Sequence, residues 1–147
     1  MSMPDNGLIV VAKRDCPTCQ LIEPVYAQLD AGAEPFTLYS QDDPQFPAGI
    51  SHLADDTTLH ASWRLQIDTV PTLLRIDNGR EVARAIGWHR GEWEALSGIK
   101  NLGAALPAEQ PGCGSMSVDP GMAEVLEVRY GSPPMRSRPI EGFEPDD

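Results

Sequence analysis

Cysteine is scarce in this chain: three residues in 147, a low and odd number. A small secreted domain stapled by disulfides needs a denser, paired set, so that class is excluded. Basic charge is also scarce. Eleven Lys and Arg stand against 22 Asp and Glu, a net charge of −11. Such a surface repels a phosphate backbone, which argues against nucleic acid as a partner. A solvated acidic surface accounts for the charge and names no partner. No apolar run approaches membrane-spanning length, so no membrane role is expected. The opening Met1-Ser2-Met3-Pro4-Asp5-Asn6-Gly7 has no basic leader, no long apolar core and no cleavage site. A soluble cytoplasmic protein is the expectation. Internal repeats and low-complexity tracts are missing too. The length allows one domain with an appendage.

What the chain does have is Asp15-Cys16-Pro17-Thr18-Cys19. The pair Cys16 and Cys19 follows an apolar run, Leu8-Ile9-Val10-Val11-Ala12, and opens a segment of helical spacing. Two residues between the cysteines let the thiols meet across a first helical turn. A cysteine at a helix N-terminus faces unpaired N–H groups that favour a thiolate, the species that attacks disulfides. A free thiol with pKa about 8.5 is roughly 3% ionised at pH 7; at pKa about 7 roughly half is. Lys13 and Arg14 push that way. The Thr18 hydroxyl could donate to the thiolate. Asp15 pushes back if its carboxylate turns towards Cys16, so Asp15→Asn is expected to raise the thiolate fraction. Pro17 suits an early helical position, where its missing N–H costs nothing. CxxC is also half of many zinc sites. Only Cys113 remains to complete one, and His52, His60 and His89 are scattered without ligand spacing. Inert thiols are the remaining alternative.

The chain divides near residue 100. Residues 1–100 alternate apolar runs with helical patterns. Residues 101–147 are rich in proline and glycine and read as an extension partly ordered against the domain. Leu8 to Lys13 reads as a strand buried on both faces. A helix follows from Pro17 to Asp30, kinked at Pro24. Phe36 to Tyr39 is a second strand. Gln41 to Asp56 is an aperiodic stretch of the kind often kept for function. Asp56 or Thr57 caps a helix from Thr57 to Leu65. Thr72 to Asp77 and Glu81 to Ile86 form a hairpin about Asn78-Gly79. A last helix runs from Arg90 to Ser97. The fold class is α/β: a mixed four-stranded sheet in the order β-α-β-α-β-β-α, with helices on both faces. Its first two strands are parallel.

These residues resemble the thioredoxin superfamily. The Cys16-Pro17-Thr18-Cys19 motif follows a buried strand, and Pro24 falls where the family carries its helix-kinking proline. Ile67-Asp68-Thr69-Val70-Pro71-Thr72-Leu73-Leu74 is similar to the family's cis-proline segment. Asp77-Asn78-Gly79-Arg80-Glu81-Val82 and Gly87 continue it through the hairpin. The resemblance spans residues 8–97. It implies that Cys16 is the attacking thiolate and Cys19 the buried resolving thiol. It implies a cis peptide between Val70 and Pro71, with the backbone there pairing to a substrate chain like an added strand. The chain departs from the family in three ways. It has no extra strand-helix unit before Leu8, no aromatic residue before Cys16, and Val10 where the family keeps a buried aspartate.

The expected function is thiol–disulfide oxidoreduction on protein or small thiol and disulfide substrates. Its redox-active group is the Cys16–Cys19 disulfide, with no cofactor, no metal and an external electron donor. The other classes are a binding module whose tail is the interaction element and a carrier of a soft ion such as Cu(I). Cys113, flanked by glycines, is either a free thiol in a mobile tail or a third redox cysteine that joins Cys16 or Cys19. Met122 to Tyr130 carries an apolar patch suited to a strand or helix docking on the domain. Residues from Ser132 onward read as disordered or partner-seeking. The three histidines read as surface or partly packed residues, and Trp63, Trp88 and Trp93 as core or core-edge packing.

Overall fold

The computed structural model describes residues 3–132. Strand β1, Gly7–Ala12, is buried at all six positions. Side chains alternate across a strand, so both faces of the sheet are covered here. The chain then enters two short helices, α1 (Pro17–Leu21) and α2 (Glu23–Asp30). The single kinked helix expected from the sequence is broken outright at Ile22, whose φ/ψ of −97°/21° is not helical. Pro24 explains the break: it has no N–H for the Gln20 carbonyl, and its ring crowds that oxygen. It sits instead in the first turn of α2, where no N–H is needed.

Strand β2 (Phe36–Ser40) pairs in parallel with β1, Leu8 opposite Phe36. The stretch expected to be aperiodic ends in a third strand, β3 (Leu53–Asp55), parallel to β2. Helix α3 is His60–Arg64, shorter than expected. Asp56 caps it, its carboxylate accepting from the N–H groups of Ala61 (2.8 Å) and Ser62 (3.0 Å) and from the Ser62 hydroxyl (2.6 Å). Strand β4 (Thr69–Val70) passes through Pro71 into β5 (Thr72–Asp77), and β6 (Arg80–Ile86) returns antiparallel. Asn78 and Gly79 both have positive φ, 53° and 75°, as an Asn-Gly hairpin turn requires. Strand β5 also lies antiparallel to β1. The sheet is therefore mixed and five-stranded, β3-β2-β1-β5-β6, rather than four-stranded. The extra edge strand is three residues long, too short to show a period of two.

Strand β7 (Trp88–His89) leads into α4 (Arg90–Ser97), which packs on β5 and β6. Trp93 is fully buried and donates its Nε1–H to the Gly87 carbonyl (2.9 Å); Trp88 meets it edge-on. His89 caps α4, its Nδ1 accepting from the Glu92 N–H at 3.2 Å. Beyond α4 the chain returns over the domain. Leu102 is buried in the main core, and the Arg90 guanidinium donates to the carbonyls of Leu102 (2.9 Å), Gly103 (2.8 Å) and Leu106 (2.5 Å). Strand β8 (Glu109–Gln110) pairs with β7, and strand β9 (Cys113–Gly114) pairs with β4. A 3-10 turn at Met116–Val118 precedes α5 (Met122–Tyr130), whose Leu126 packs with Leu59 and Trp63. The rings of His60, Trp63 and Tyr130 meet in a triangle beside this cluster, with His60 stacked on both aromatic rings and Trp63 5.3 Å from Tyr130. The stretch expected to be disordered, beyond Ser132 itself, lies outside the described residues. Among the described residues no helix is long and apolar enough to cross a membrane.

Asp56 ties this layout to pH. Burial pushes its carboxyl up to about 6, against three hydrogen bonds that favour the charge. An unfolded aspartate titrates near 3.9, so between about pH 4 and 6 the native state holds the extra proton. Stability is then highest below pH 4 for this group and declines as pH rises through 6, by up to about 3 kcal/mol. Urea unfolding of the native chain and of Asp56→Asn across pH 4–7 checks this. Superimposable pH dependences would contradict it.

Candidate functional site

Cys16 is the N-cap of α1, with extended φ/ψ of −158°/111°. Its sulfur takes the capping role usually played by an oxygen, accepting the Cys19 N–H at 3.2 Å. Pro17 fills N1, where no donor is lost. The turn before the cap is held by a distant residue: β1 ends at Ala12, and the backbone N–H groups of Arg14 and Asp15 are taken by the Asp42 carboxylate at 2.6 and 2.9 Å. This grip turns the chain from strand to helix and holds Cys16 at the turn. Cys19, one helical turn on, is fully buried. The buried Tyr26 hydroxyl donates to its carbonyl at 2.9 Å, fastening α1 to α2.

The two thiols are driven apart in acidity. Cys16 is lowered from 9.0 to about 6, chiefly by the hydrogen bond from the Cys19 thiol, then by Cys113 and by the N–H groups of Cys19 and Thr18, all against desolvation. Cys19 is pushed far up by burial and by the neighbouring Cys16. The pair is thus poised as a thiolate beside a held proton. As a thiol, Cys16 donates to the Val70 carbonyl at 3.7 Å. The Val70–Pro71 peptide is cis, as the resemblance implies. A second cis bond lies at Phe46–Pro47.

Three expectations about the neighbours of Cys16 change. The Thr18 hydroxyl does not serve the sulfur; its single proton goes to the Pro111 carbonyl at 2.5 Å, and only the Thr18 N–H acts on the thiolate. Arg14 is exposed and paired with Asp43 at 3.1 Å. Asp15 is exposed, and neither it nor Lys13 is among the groups that dominate the Cys16 acidity. The gain expected from Asp15→Asn is therefore withdrawn: the alkylation midpoint of Cys16 should move by less than about half a pH unit. A larger downward move would restore Asp15 as a tuning residue.

Cys113 is half-buried and comes to the site from the tail. Strand β9 places it opposite Val70, with Gly114 opposite Thr69. Burial and the neighbouring Cys16 both weaken its acidity. All three cysteines are unbridged. Sequence reasoning did not find the residues that hold this strap. On one side they are Pro111 and Gly112, where a Cβ at Gly112 would run into the Val70 carbonyl and the Thr69 methyl. On the other, Ser115 is fully buried and donates its N–H to Asp68 O at 3.0 Å. Gln41 Nε2 donates to the hydroxyls of Ser62 (2.8 Å) and Ser115 (2.7 Å), and its Oε1 accepts from the Met116 N–H at 2.9 Å. The only sequence signal was the Gly-Cys-Gly spelling, which marks close backbone approach as readily as mobility.

His89 caps α4, and His60 stacks on Trp63 and Tyr130. Among the described residues no group of three or more His, Cys, Asp or Glu is placed to hold a metal ion. Comparison with protein-family models, curated proteins and solved structures found no match.

Proposed function

We propose that this chain is a thiol–disulfide oxidoreductase with a thioredoxin-like fold. One observation carries the reading: a Cys16 thiol brought down to about 6 stands one helical turn from a Cys19 thiol pushed well up. That division of labour suits exchange. The Cys16 thiolate attacks one sulfur of a substrate disulfide, a Cys16–substrate bond forms, and the other substrate sulfur leaves with the electron pair. Cys19 then gives up its proton and attacks Cys16. The second substrate sulfur departs, leaving a Cys16–Cys19 disulfide for an external thiol donor to reduce. The β-α-β order, the antiparallel hairpin and the cis peptide at Pro71 beside Cys16 support the fold assignment. The substrate class is protein or small-molecule disulfides.

The deciding experiment equilibrates the protein with glutathione or dithiothreitol buffers and reads the fraction of free thiol. A reversible two-electron couple at Cys16–Cys19 is the expected result. A potential near about −270 mV suits a reductase, and one above about −180 mV an oxidant or isomerase. Absence of a reversible couple would overturn the reading and leave a binding module in its place.

A further inference from the structure

The backbone edge at Thr69–Val70 is the place where the proposed activity needs a substrate strand. It is filled by the chain itself. Strand β9 pairs there antiparallel, Cys113 opposite Val70, and Cys16 is 1% exposed beneath it. The strap is fastened at both ends, through Thr18–Pro111 before Cys113 and through Asp68–Ser115 after it. Two further anchors hold its approach: β7–β8 pairing, and the Trp88 Nε1–H donating to Pro107 O at 2.8 Å. The outcome is a peptide-like segment on this edge with Cys113 opposite Val70, the residue whose carbonyl accepts from the Cys16 sulfur at 3.7 Å.

We propose that Cys113 is a third redox residue, a tethered thiol that exchanges with Cys16, so that the oxidised protein carries a Cys16–Cys113 disulfide as well as Cys16–Cys19. This rests on the oxidoreductase reading above. The step is an isomerisation and needs no added oxidant. The Cys113 sulfur, deprotonated, attacks Cys16 Sγ in the Cys16–Cys19 disulfide. The Cys16–Cys113 bond forms, the Cys16–Cys19 bond breaks, and Cys19 leaves with the electron pair and takes up the proton that Cys113 gave. No electron is gained or lost overall. Cys19 ends as a buried neutral thiol, the form its surroundings favour. The pairing brings the two residues to the same point of the edge: Cys113 lies opposite Val70, and the Val70 carbonyl accepts from Cys16 Sγ at 3.7 Å, so closing a bond of about 2.05 Å takes a thiol rotation and an approach of the strap.

The isomer moves the point of exchange outward. Cys113 is half-buried where Cys16 is covered. An external thiolate attacks Cys113 Sγ, joins it as a mixed disulfide and expels Cys16. The expelled group is the most acidic of the three thiols and hence the best leaving group. Run in reverse, the Cys16 thiolate collects a disulfide that a partner has left on Cys113. The strap thus serves as a built-in substrate strand through which partners reach a buried pair.

The test uses the full chain as wild type, Cys19→Ser, Cys113→Ser, and Gly112→Val in the Cys19→Ser background. Each is oxidised with glutathione disulfide, alkylated and mapped by mass spectrometry of non-reduced peptides. Cys19→Ser is expected to close an intramolecular Cys16–Cys113 link at a rate independent of protein concentration. The wild type is expected to show both disulfide isomers. Gly112→Val adds a side chain where the Val70 carbonyl stands, lifts the strap, and should slow closure of that link at least about tenfold. The proposal is overturned if Cys19→Ser yields only glutathione adducts or dimers while the wild type shows Cys16–Cys19 alone. Unchanged closure in Gly112→Val would overturn the role of the strap in presenting Cys113. Failure of the underlying reading shows separately, as no reversible Cys16–Cys19 couple in Cys113→Ser.

Discussion

Cys16→Ser is expected to lower the rate of disulfide reduction by at least about a thousandfold, the scale of losing a covalent nucleophile. The sulfur at this position is both cap and reagent. At pH 7 a thiol with pKa about 6 is about nine-tenths thiolate, against roughly 3% for an unperturbed one. A serine hydroxyl still accepts the Cys19 N–H, so α1 keeps its cap and the fold should stand. It is not ionised near neutrality, and the partners of the sulfur it replaces, the Val70 carbonyl and the Cys19 N–H, are not bases that could ionise it. The measurement is the initial rate on a protein disulfide with dithiothreitol as donor, beside a melting curve showing that the variant is folded. The double variant Cys19→Ser, Cys113→Ser is the companion: it keeps the first attack and, with no second thiol to resolve it, accumulates the mixed disulfide. More than about a hundredth of the wild-type rate in a folded Cys16→Ser would end the assignment of Cys16 as nucleophile.

The second large effect is in the pH dependence of the couple. Reducing the Cys16–Cys19 disulfide takes up two electrons. Below about pH 6 it also takes up two protons; above it only one, because Cys16 stays ionised while Cys19 stays protonated. Each proton per electron pair contributes about 30 mV per pH unit. The potential should therefore fall by about 60 mV per unit below pH 6 and about 30 mV per unit above it. Holding Cys16 as thiolate stabilises the reduced form at pH 7 by about 1.4 kcal/mol, which raises the potential by about 30 mV over a pair with ordinary thiols. Potentials measured in redox buffers from pH 5 to 8 check the break. Cys16 alkylation rates should share the midpoint. A constant slope of about 60 mV per unit throughout would show that Cys16 is not ionised in this range.

Much of the frame was legible because its signals are local. β1 is apolar at alternate positions on both faces, and the structure buries all six of its residues. Asn78-Gly79 announced the hairpin, since two successive positive φ values suit few other pairs. Pro24 announced a disturbed helix, though not that the helix would part in two. The placement of Cys16 and Cys19 across one helical turn also came from spacing alone. β3 was missed because three residues at a sheet edge carry no period, and their pairing to β2 is a choice made by the whole sheet. α5 stays open between strand and helix in the sequence because its apolar residues spread around the helix: Leu126 is buried while Val125 and Val128 are exposed.

The chemistry around Cys16 was read less well. Thr18 was assigned to the sulfur because it lies between the cysteines; the Pro111 carbonyl takes its proton instead. Asp15 and Arg14 were weighed for charge, but both are exposed and Arg14 is engaged with Asp43. The sequence offers Asp56 or Thr57 as the cap of α3; the N-cap position falls at Leu59, while the Asp56 carboxylate reaches the first-turn N–H groups from three residues earlier, and burial raises that carboxyl to about 6, which no spacing reveals.

By itself the sequence determined the central strand, the hairpin, the cap position of Cys16 and the one-turn distance to Cys19. Each follows from backbone stereochemistry or hydrophobic period within a few neighbouring residues. Only the tertiary structure decided that β9 lies on the edge at Val70, that Cys113 comes to the site opposite Val70, and that burial and hydrogen bonding push the acidities of Cys16 and Cys19 in opposite directions. Those outcomes depend on desolvation and on hydrogen bonds between segments far apart in the chain, which exist only once the fold has closed.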